Sequence, residues 1–437
     1  MKNIFIPEIL SIVNDFLDYS TNYKLRACSF YINEYQKDQI VWKFNYKYTI
    51  KYNEDSNFRE LINNKIDIKK KLYLSYKYST IIDVSNLINV YSLDLSDTKI
   101  TDISKLINNT NINLKFTPIE NISNLDNLNT LFLDCTKIKD ISNLTNIYNL
   151  SMSYTLITDV SSLKNVKILD ISHTQVSNVS NLGNVHKLNL SYTKVIDVSA
   201  LGNVYDLNLS YCKVIDVSKL INVKILNLSY TNVKDVSALS NTFNLNLSNT
   251  HIKNVDNLGN VHILDLSYNN KIDVTNLINV YDLNLTLTYV ENINMLKNVK
   301  ILNLSNTNVI DVSTLGNVYN LNLSNTSVKD VSALSKVRIL DLSQTFVEDV
   351  SALSNVYDLN ISHTRVKDVS KLYNVYKLKL SCTKVVDVSA LKNVTELYIE
   401  CTDVEDISML KNLKKVHIYS TKIRDKYNIK NIPLVYY

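Results

Sequence analysis

The sequence predicts a parallel β-solenoid. Stacked turns carry a parallel β-sheet on one face and extended or 3-10 segments on the other, with a small, mainly helical cap at the N-terminal end. Three observations predict it. A period of nineteen residues runs without slip from Asp83 to Arg424, which makes eighteen consecutive copies. A fixed period of this length marks stacked repeats rather than an ordinary globular domain. With Asp311 as position one of DVSTLGNVYNLNLSNTSVK, positions two, five, eight, eleven, thirteen and eighteen are aliphatic in almost every copy. Leu-x-Leu at positions eleven to thirteen has the alternation of a short strand, so copies laid one above the next form a sheet with a strand spacing of about 4.8 Å.

Each recurring residue has a physical reason. Position five is Leu in all eighteen copies, from Leu87 to Leu410, and sits in the buried set. Thr fills position sixteen in sixteen copies, with Cys212 and Asn269 in the other two. A buried hydroxyl there can bond the backbone of the turn that leaves the strand. Asp or Asn at position one with Ser at three suits an Asx turn. The same Asp column lacks the glycine-rich nonapeptide of calcium-binding β-rolls. Asn at position seven is expected to close the turn that leads into the strand. Two copies depart from the pattern: 102–120, with Asn109, Lys115 and Pro118, and 254–272, with Asn269, Asn270 and Lys271. Drift and a hinge are the two readings of these departures.

Four regions result. Residues 1–62 form the helical N-terminal segment, 63–82 an irregular first turn, 83–424 the repeats and 425–437 a truncated final turn. In the first region Ile6, Ile9, Leu10, Val13, Phe16 and Leu17 recur at helical spacing, with Pro7 in the first turn. A shorter helix carries Leu25, Cys28 and Ile32. Trp42, Phe44, Tyr46, Tyr48 and Ile50 alternate and predict a strand, and Asn57 to Ile62 predict another short helix. At the far end Ile429, Ile432 and Val435 keep the frame of the repeat. The open edge of that last strand is expected to pair with another copy.

Composition bounds the function. The net charge of +5 is small for 437 residues and the lysines are dispersed, so the concentrated basic face of a nucleic-acid binder is not expected. No apolar run is long enough to span a membrane, and the first residues do not suit a signal peptide. The five cysteines lack zinc-finger spacing, and Cys382 and Cys401 are neighbours one copy apart. Free thiols in a reducing compartment are expected. Sequons at Asn189, Asn208, Asn227, Asn246, Asn303 and Asn322 fall on one strand column, where glycans about 5 Å apart would not fit. An intracellular, cytoplasmic location is therefore expected. The six histidines are scattered over several repeat positions, outside any His-Glu-x-x-His pattern, and the four glycines form no phosphate loop. The expectation is a chain without enzymatic activity, metal or cofactor.

Positions eight to eighteen read V-x-x-L-x-L-x-x-T-x-V. This resembles the leucine-rich-repeat signature L-x-x-L-x-L-x-x-N-x-L, and it covers about four-fifths of the chain. The phrase L-x-L-S-x-T-x-V-x-D-V-S-x-L is similar to the repeats of bacterial internalins, with each copy three residues shorter. The opening IPEILSIVNDFL, with Cys28 and Trp42, resembles an F-box, although Glu8 follows Pro7 directly and Cys28 is one residue out of place. That resemblance implies docking of Skp1 through Pro7, Ile9, Leu10, Val13 and Leu17, as the substrate-selecting subunit of a host SCF-type ubiquitin ligase. A plain cap over the first turn is the alternative. Together the two segments look most like the F-box/leucine-rich-repeat proteins of giant DNA viruses of amoebae. Without the ligase, the chain reads as a binding or structural protein.

A binding surface is sought where copies differ. Positions ten, twelve and fourteen are expected to point out from the sheet, with an Asn-rich column at twelve. From Tyr205 to Tyr357 positions nine and ten alternate between aromatic–polar and basic–Ile pairs, a period of 38 laid over the 19. Position fifteen collects Tyr154, Tyr192, Tyr211, Tyr230 and Tyr268. Tyrosine is a frequent anchor in interfaces, so these five are the candidate partner-binding residues.

Overall fold

The computed structural model describes residues 42–44, 46–65, 72–122, 125, 128–423, 429 and 432–436. The chain divides into two compact units, 1–208 and 209–437. Among the described residues the first holds β1 (Trp42–Lys43), α1 (Tyr46–Glu54), α2 (Ser56–Lys65) and β2 (Leu72–Ser75). It continues as β3 (Ser92–Asp94), β4 (Asn111–Asn113), β5 (Thr130–Phe132), β6 (Asn149–Ser151), β7 (Ile168–Asp170), β8 (Lys187–Asn189) and β9 (Asp206–Asn208). Neighbours pair in parallel and in register, position against position, as in Leu169 with Leu188. Among the described residues 3-10 turns at Ser85–Leu87 and Ser199–Leu201 stand where a longer repeat would carry a helix.

The second unit repeats the arrangement with β10 (Ile225–Asn227), β11 (Asn244–Asn246), β12 (Ile263–Asp265), β13 (Lys271–Asp273), β14 (Asp282–Asn284), β15 (Tyr289–Glu291) and β16 (Ile301–Asn303). Then come β17 (Asn320–Asn322), β18 (Ile339–Asp341), β19 (Asp358–Asn360), β20 (Lys377–Lys379), β21 (Glu396–Tyr398), β22 (Lys415–His417) and β23 (Leu434–Tyr436). β13 and β15 form a small parallel pair of their own, away from the main sheet. The six apolar positions line the interior; Leu321, Leu323 and Leu315 are fully buried. Burying one such side chain contributes roughly 1.5–3 kcal/mol.

The turn after each strand is the most regular feature of the chain. The residue at position fifteen has φ between 54° and 61° in every copy from Asp97 to Ser420, and Tyr78 repeats it one turn earlier at 62°. This left-handed corner lets the residue's N–H reach the carbonyl at position fourteen of the next copy, as in Asn306 to Ser324 at 2.9 Å. The Thr at sixteen locks the corner by donating its hydroxyl to the carbonyl at thirteen, as in Thr345 to Leu342 at 2.5 Å and Thr326 to Leu323 at 2.7 Å. The Asx turn at position one is present, with Ser313 N–H on Asp311 Oδ1 at 2.9 Å. That bond holds the Asp311 carboxyl below the usual carboxylate range.

Position twelve makes a second Asx turn: its Oδ1 accepts the N–H at fourteen, as in Asn322 with Ser324 at 2.9 Å. This local bond recurs, whereas amide bonds along the column are occasional, as from Asn189 to Asp170 at 2.9 Å. Ser at fourteen is tucked under this turn and buried at Ser96, Ser172 and Ser305 instead of facing out. The position-seven amides link copies: Asn108 donates to Asn89 at 2.9 Å and Asn374 to Asn355 at 3.2 Å.

Both departing copies are repaired locally. Buried Asn109 donates to the carbonyls of Leu87 and Val90 at 2.9 and 2.6 Å. Lys115 pairs with Asp134 of the following copy at 2.7 Å. Asn269 takes the place of Thr, donating to the carbonyls of Leu247 and Leu266 at 2.8 and 3.0 Å. Lys271 turns outward to Glu291 at 2.7 Å, while Ile272 fills the core one residue late.

The strand expected over residues 42–50 is limited to Trp42–Lys43, and Tyr46 to Ile50 belong to helix α1. The same residues satisfy a helical period, because Lys47 and Lys51 share one face and Tyr48 and Tyr52 another. Packing decides between the two patterns. Tyr52 is buried with its hydroxyl on Asn63 at 2.6 Å, and Tyr48 stacks on Phe58 with centroids 6.1 Å apart. Asp55 caps α2 by accepting the N–H of Phe58 at 3.0 Å.

Two substitutions test the turn and the core. Leu340→Ala, at a core site 1% exposed, lowers unfolding stability by about 2–5 kcal/mol. Leu287 holds a branched side chain at φ 55° on the surface, so Leu287→Asn raises stability by about 1 kcal/mol. Urea denaturation followed by far-UV circular dichroism reads both.

Candidate interaction surface

The five candidate tyrosines all stand on the left-handed corner, and all are exposed. In the first unit Tyr154 and Tyr192 enclose His173. The ring centroids are 4.0 and 4.2 Å apart, and Tyr154 Oη lies 3.0 Å from His173 Nε2. In the second unit Tyr211 and Tyr230 stack at 4.2 Å. Tyr268 is set apart from Tyr230 by the copy that carries Asn249. His173 was not among the sequence candidates. Its place at position fifteen, in phase with two tyrosines, is the signal that would have found it.

Rings stacked this closely cover one another's faces and present edges and hydroxyls to solvent. The backbone spacing imposes this, because residues at one position of successive copies repeat at the strand spacing. The corner also has a cost. A bulky residue with φ near 57° is disfavoured by roughly 1–2 kcal/mol, and Asn, as at Asn306 and Asn325, takes the corner more readily.

A second set of rings runs at position nine. His186 stacks on Tyr205 at 4.9 Å in the first unit. In the second, Phe243, His262 and Tyr281 stack at 4.8 Å each, Tyr357 stacks on Tyr376 at 4.8 Å, and Arg338 lies 4.2 Å over Tyr357. The 38-residue alternation thus sets a cation or an imidazole against an aromatic ring. These histidines are ring members of aromatic stacks. Among the described residues no group of three or more His, Cys, Asp or Glu side chains could hold a metal ion.

A third stack lies on the sheet face near the C-terminal end of the second unit. Here Tyr398, His417 and Tyr436 replace the usual Asn of position twelve, with centroids 4.3 Å apart in both steps. Lys415 Nζ is 3.0 Å from Tyr398 Oη. His417 Nδ1 is 3.4 Å from Glu400, which also accepts the Ser381 hydroxyl, and His417 Nε2 is buried without a hydrogen-bond partner. Burial lowers the His417 imidazole below its ordinary value; Glu400 pulls it back up and Lys415 pushes it down further.

Elsewhere the sheet face carries mixed charge. In the first unit Lys187 pairs with Asp206 at 2.9 Å. Asp134 is raised by burial, but Lys115, Ser151 and Ser153 outweigh that and hold it below the usual carboxylate range. In the second, Lys377 lies between Asp358 and Glu396 at 3.3 and 3.9 Å. No described helix is long and apolar enough to cross a membrane. The residues proposed for Skp1, Pro7, Ile9, Leu10, Val13 and Leu17, lie outside the described residues.

No family model matches the chain, and no curated protein matches it in sequence. Solved structures do. The functional domain of InlJ from Listeria monocytogenes, which includes a cysteine ladder, is 19% identical over 72% of this chain and 74% of that one, with a TM-score of 0.51. The leucine-rich-repeat protein LIC12759 of Leptospira interrogans is 20% identical over 86% of this chain and 98% of its own, with a TM-score of 0.53. TLR13, in its complex with ssRNA13, is 17% identical over 84% of this chain and 70% of its own, at 0.58. The fold is the leucine-rich-repeat solenoid. Its repeats here are short, so 3-10 and extended segments replace the longer elements on the outer side, as the nineteen-residue period predicted.

The third stack yields a pH prediction for this leucine-rich-repeat chain. An unfolded His titrates near 6.5 and native His417 below that, so between the two values the unfolded chain binds more protons. Stability is full above about pH 6.5 and falls as pH drops through that window. His417→Phe keeps the stack and removes this part of the slope, as read from denaturation midpoints between pH 7.5 and about 5.

Proposed function

We propose that the chain is a protein-interaction scaffold that captures its partner through the tyrosines at position fifteen. The observation that supports this reading is the presence of Tyr154, Tyr192, Tyr211, Tyr230 and Tyr268 in left-handed backbone. At that corner a ring is disfavoured and the fold itself gains more from Asn. The corner's own hydrogen bonds hold the backbone but do not call for a ring, so tyrosine at several exposed corners favours a role in binding. Tyrosine edges and hydroxyls suit a protein partner with hydrogen-bond acceptors and small apolar side chains. Sugars and nucleobases stack on open ring faces, which neighbours cover in these stacks. Tyr192→Ser, Tyr211→Ser and Tyr230→Ser together abolish capture of a partner from a host-cell extract by the tagged chain, with the circular dichroism unchanged. Undiminished capture removes these tyrosines from the proposal.

The opening segment favours a more specific role. IPEILSIVNDFL resembles the Skp1-docking helix of F-box proteins, so we propose that the scaffold selects substrates for a host SCF-type ubiquitin ligase in the cytoplasm. Pro7, Ile9, Leu10, Val13 and Leu17 would face Skp1, and a giant DNA virus of amoebae would be the source of such a chain. The expected result is co-purification of Skp1 with the full chain and its loss in Leu10→Asp/Leu17→Asp. If wild-type chain brings down no Skp1, the ligase role falls and the scaffold reading stands alone.

A further inference from the structure

Cys382 and Cys401 occupy the same left-handed corner in successive copies, with φ 56° and 55°. Each corner is locked in the same way. Cys382 N–H bonds the carbonyl of Glu400 at 2.8 Å, and Cys401 N–H that of Tyr419 at 3.0 Å. Thr383 and Thr402, one residue on, each donate a hydroxyl to the carbonyl three residues back at 2.6 Å. The strands that feed the two corners are paired in register, Leu378 with Leu397. The two side chains therefore leave parallel backbones at equivalent points, one copy apart. Cys382 is half-buried, Cys401 is exposed, and both are free thiols.

We propose that Cys382 and Cys401 form a two-coordinate site for a soft monovalent cation, Cu(I) in the cell. The spacing carries the argument. Strand pairing fixes equivalent atoms in neighbouring copies about 4.8 Å apart. A metal–thiolate bond is about 2.3 Å, so a cation midway between the sulfurs meets both in a near-linear S–M–S arrangement. Soft thiolate ligands select Cu(I) among the biological metals. On binding, both S–H protons leave to solvent and two metal–sulfur bonds form, with no change of oxidation state. Zinc is disfavoured, because it takes four ligands and no described group supplies even three His, Cys, Asp or Glu side chains.

A disulfide is the competing outcome, because the strand spacing falls within the Cα separation a disulfide accepts, and the test reads it separately. Cys135 is the internal control. It sits on the same corner, exposed, between copies that carry Phe116 and Tyr154, so it has the conformation without the second sulfur.

The test titrates the full chain, kept reduced, with Ag(I) as a redox-inert probe and then with Cu(I) under anaerobic conditions. Thiolate-to-metal absorbance in the ultraviolet is followed in a Cys28→Ser/Cys135→Ser background. One tight equivalent per chain is expected. Either Cys382→Ser or Cys401→Ser alone should remove it, weakening uptake at least tenfold, with unchanged circular dichroism showing that the variants fold. Retention of the tight equivalent in either single variant overturns the proposal. So does stepwise uptake of one cation per thiol, or a two-dalton mass loss from disulfide formation in place of metal binding.

Discussion

The stacking in this chain rests on the left-handed corner after each strand, which a threonine hydroxyl locks in most copies. At position sixteen a buried threonine donates to the carbonyl three residues back, as Thr345 does to Leu342 at 2.5 Å. It helps hold the preceding residue in the left-handed region. That residue's N–H then reaches the next copy beyond the end of the strand. The strands are only three residues long, too short for their own ladder to define a register. The locked corner extends the pairing and fixes the turn, so the six apolar positions stack on their counterparts. Asn269 shows what the position requires. It is a different side chain that satisfies carbonyls of the same turn and of the copy before it.

The same corner sets the character of the surface. Because position fifteen projects outward from a fixed backbone, whatever side chain is placed there repeats at the strand spacing. Tyrosine and histidine stack, and Cys382 and Cys401 fall on neighbouring corners. Side chains that vary freely in sequence become geometrically constrained once stacked. Specificity at position fifteen then comes from which neighbours share chemistry. Positions nine and twelve obey the same rule, with His262 between Phe243 and Tyr281 and His417 between Tyr398 and Tyr436.

Much of this was legible in the sequence. The period, the six apolar positions, the Asx turn at Asp311 and the absence of room for a helix in nineteen residues all follow from spacing, and spacing survives translation into structure. What spacing does not encode is φ. A left-handed corner is visible when Gly or Asn marks it, and here Tyr, His, Cys and Leu stand there, so the corner was hidden. Position fourteen failed for a related reason. Strand alternation predicts an outward serine at Ser172 or Ser305, but the chain has already left the strand and folded the serine beneath the side chain at position twelve. Residues 42–50 failed because strand and helix periods coincide over so few residues, and only the packing of Tyr52 and Tyr48 separates them. His173 and His186 look scattered along the sequence, yet each lies in phase with a neighbouring tyrosine.

The in-register pairing has a consequence for how such a chain can change its length. A copy contacts the one before and the one after through identical positions. Removing or adding nineteen residues therefore joins two surfaces that already match. Removing eighteen or twenty would put a core leucine opposite a surface asparagine at the junction, or force a bulge into that turn. Unequal recombination between near-identical copies is thus tolerated only in whole steps. The number of turns becomes a quantity that inheritance can adjust without redesigning any of them, while the spacing inside a turn stays fixed.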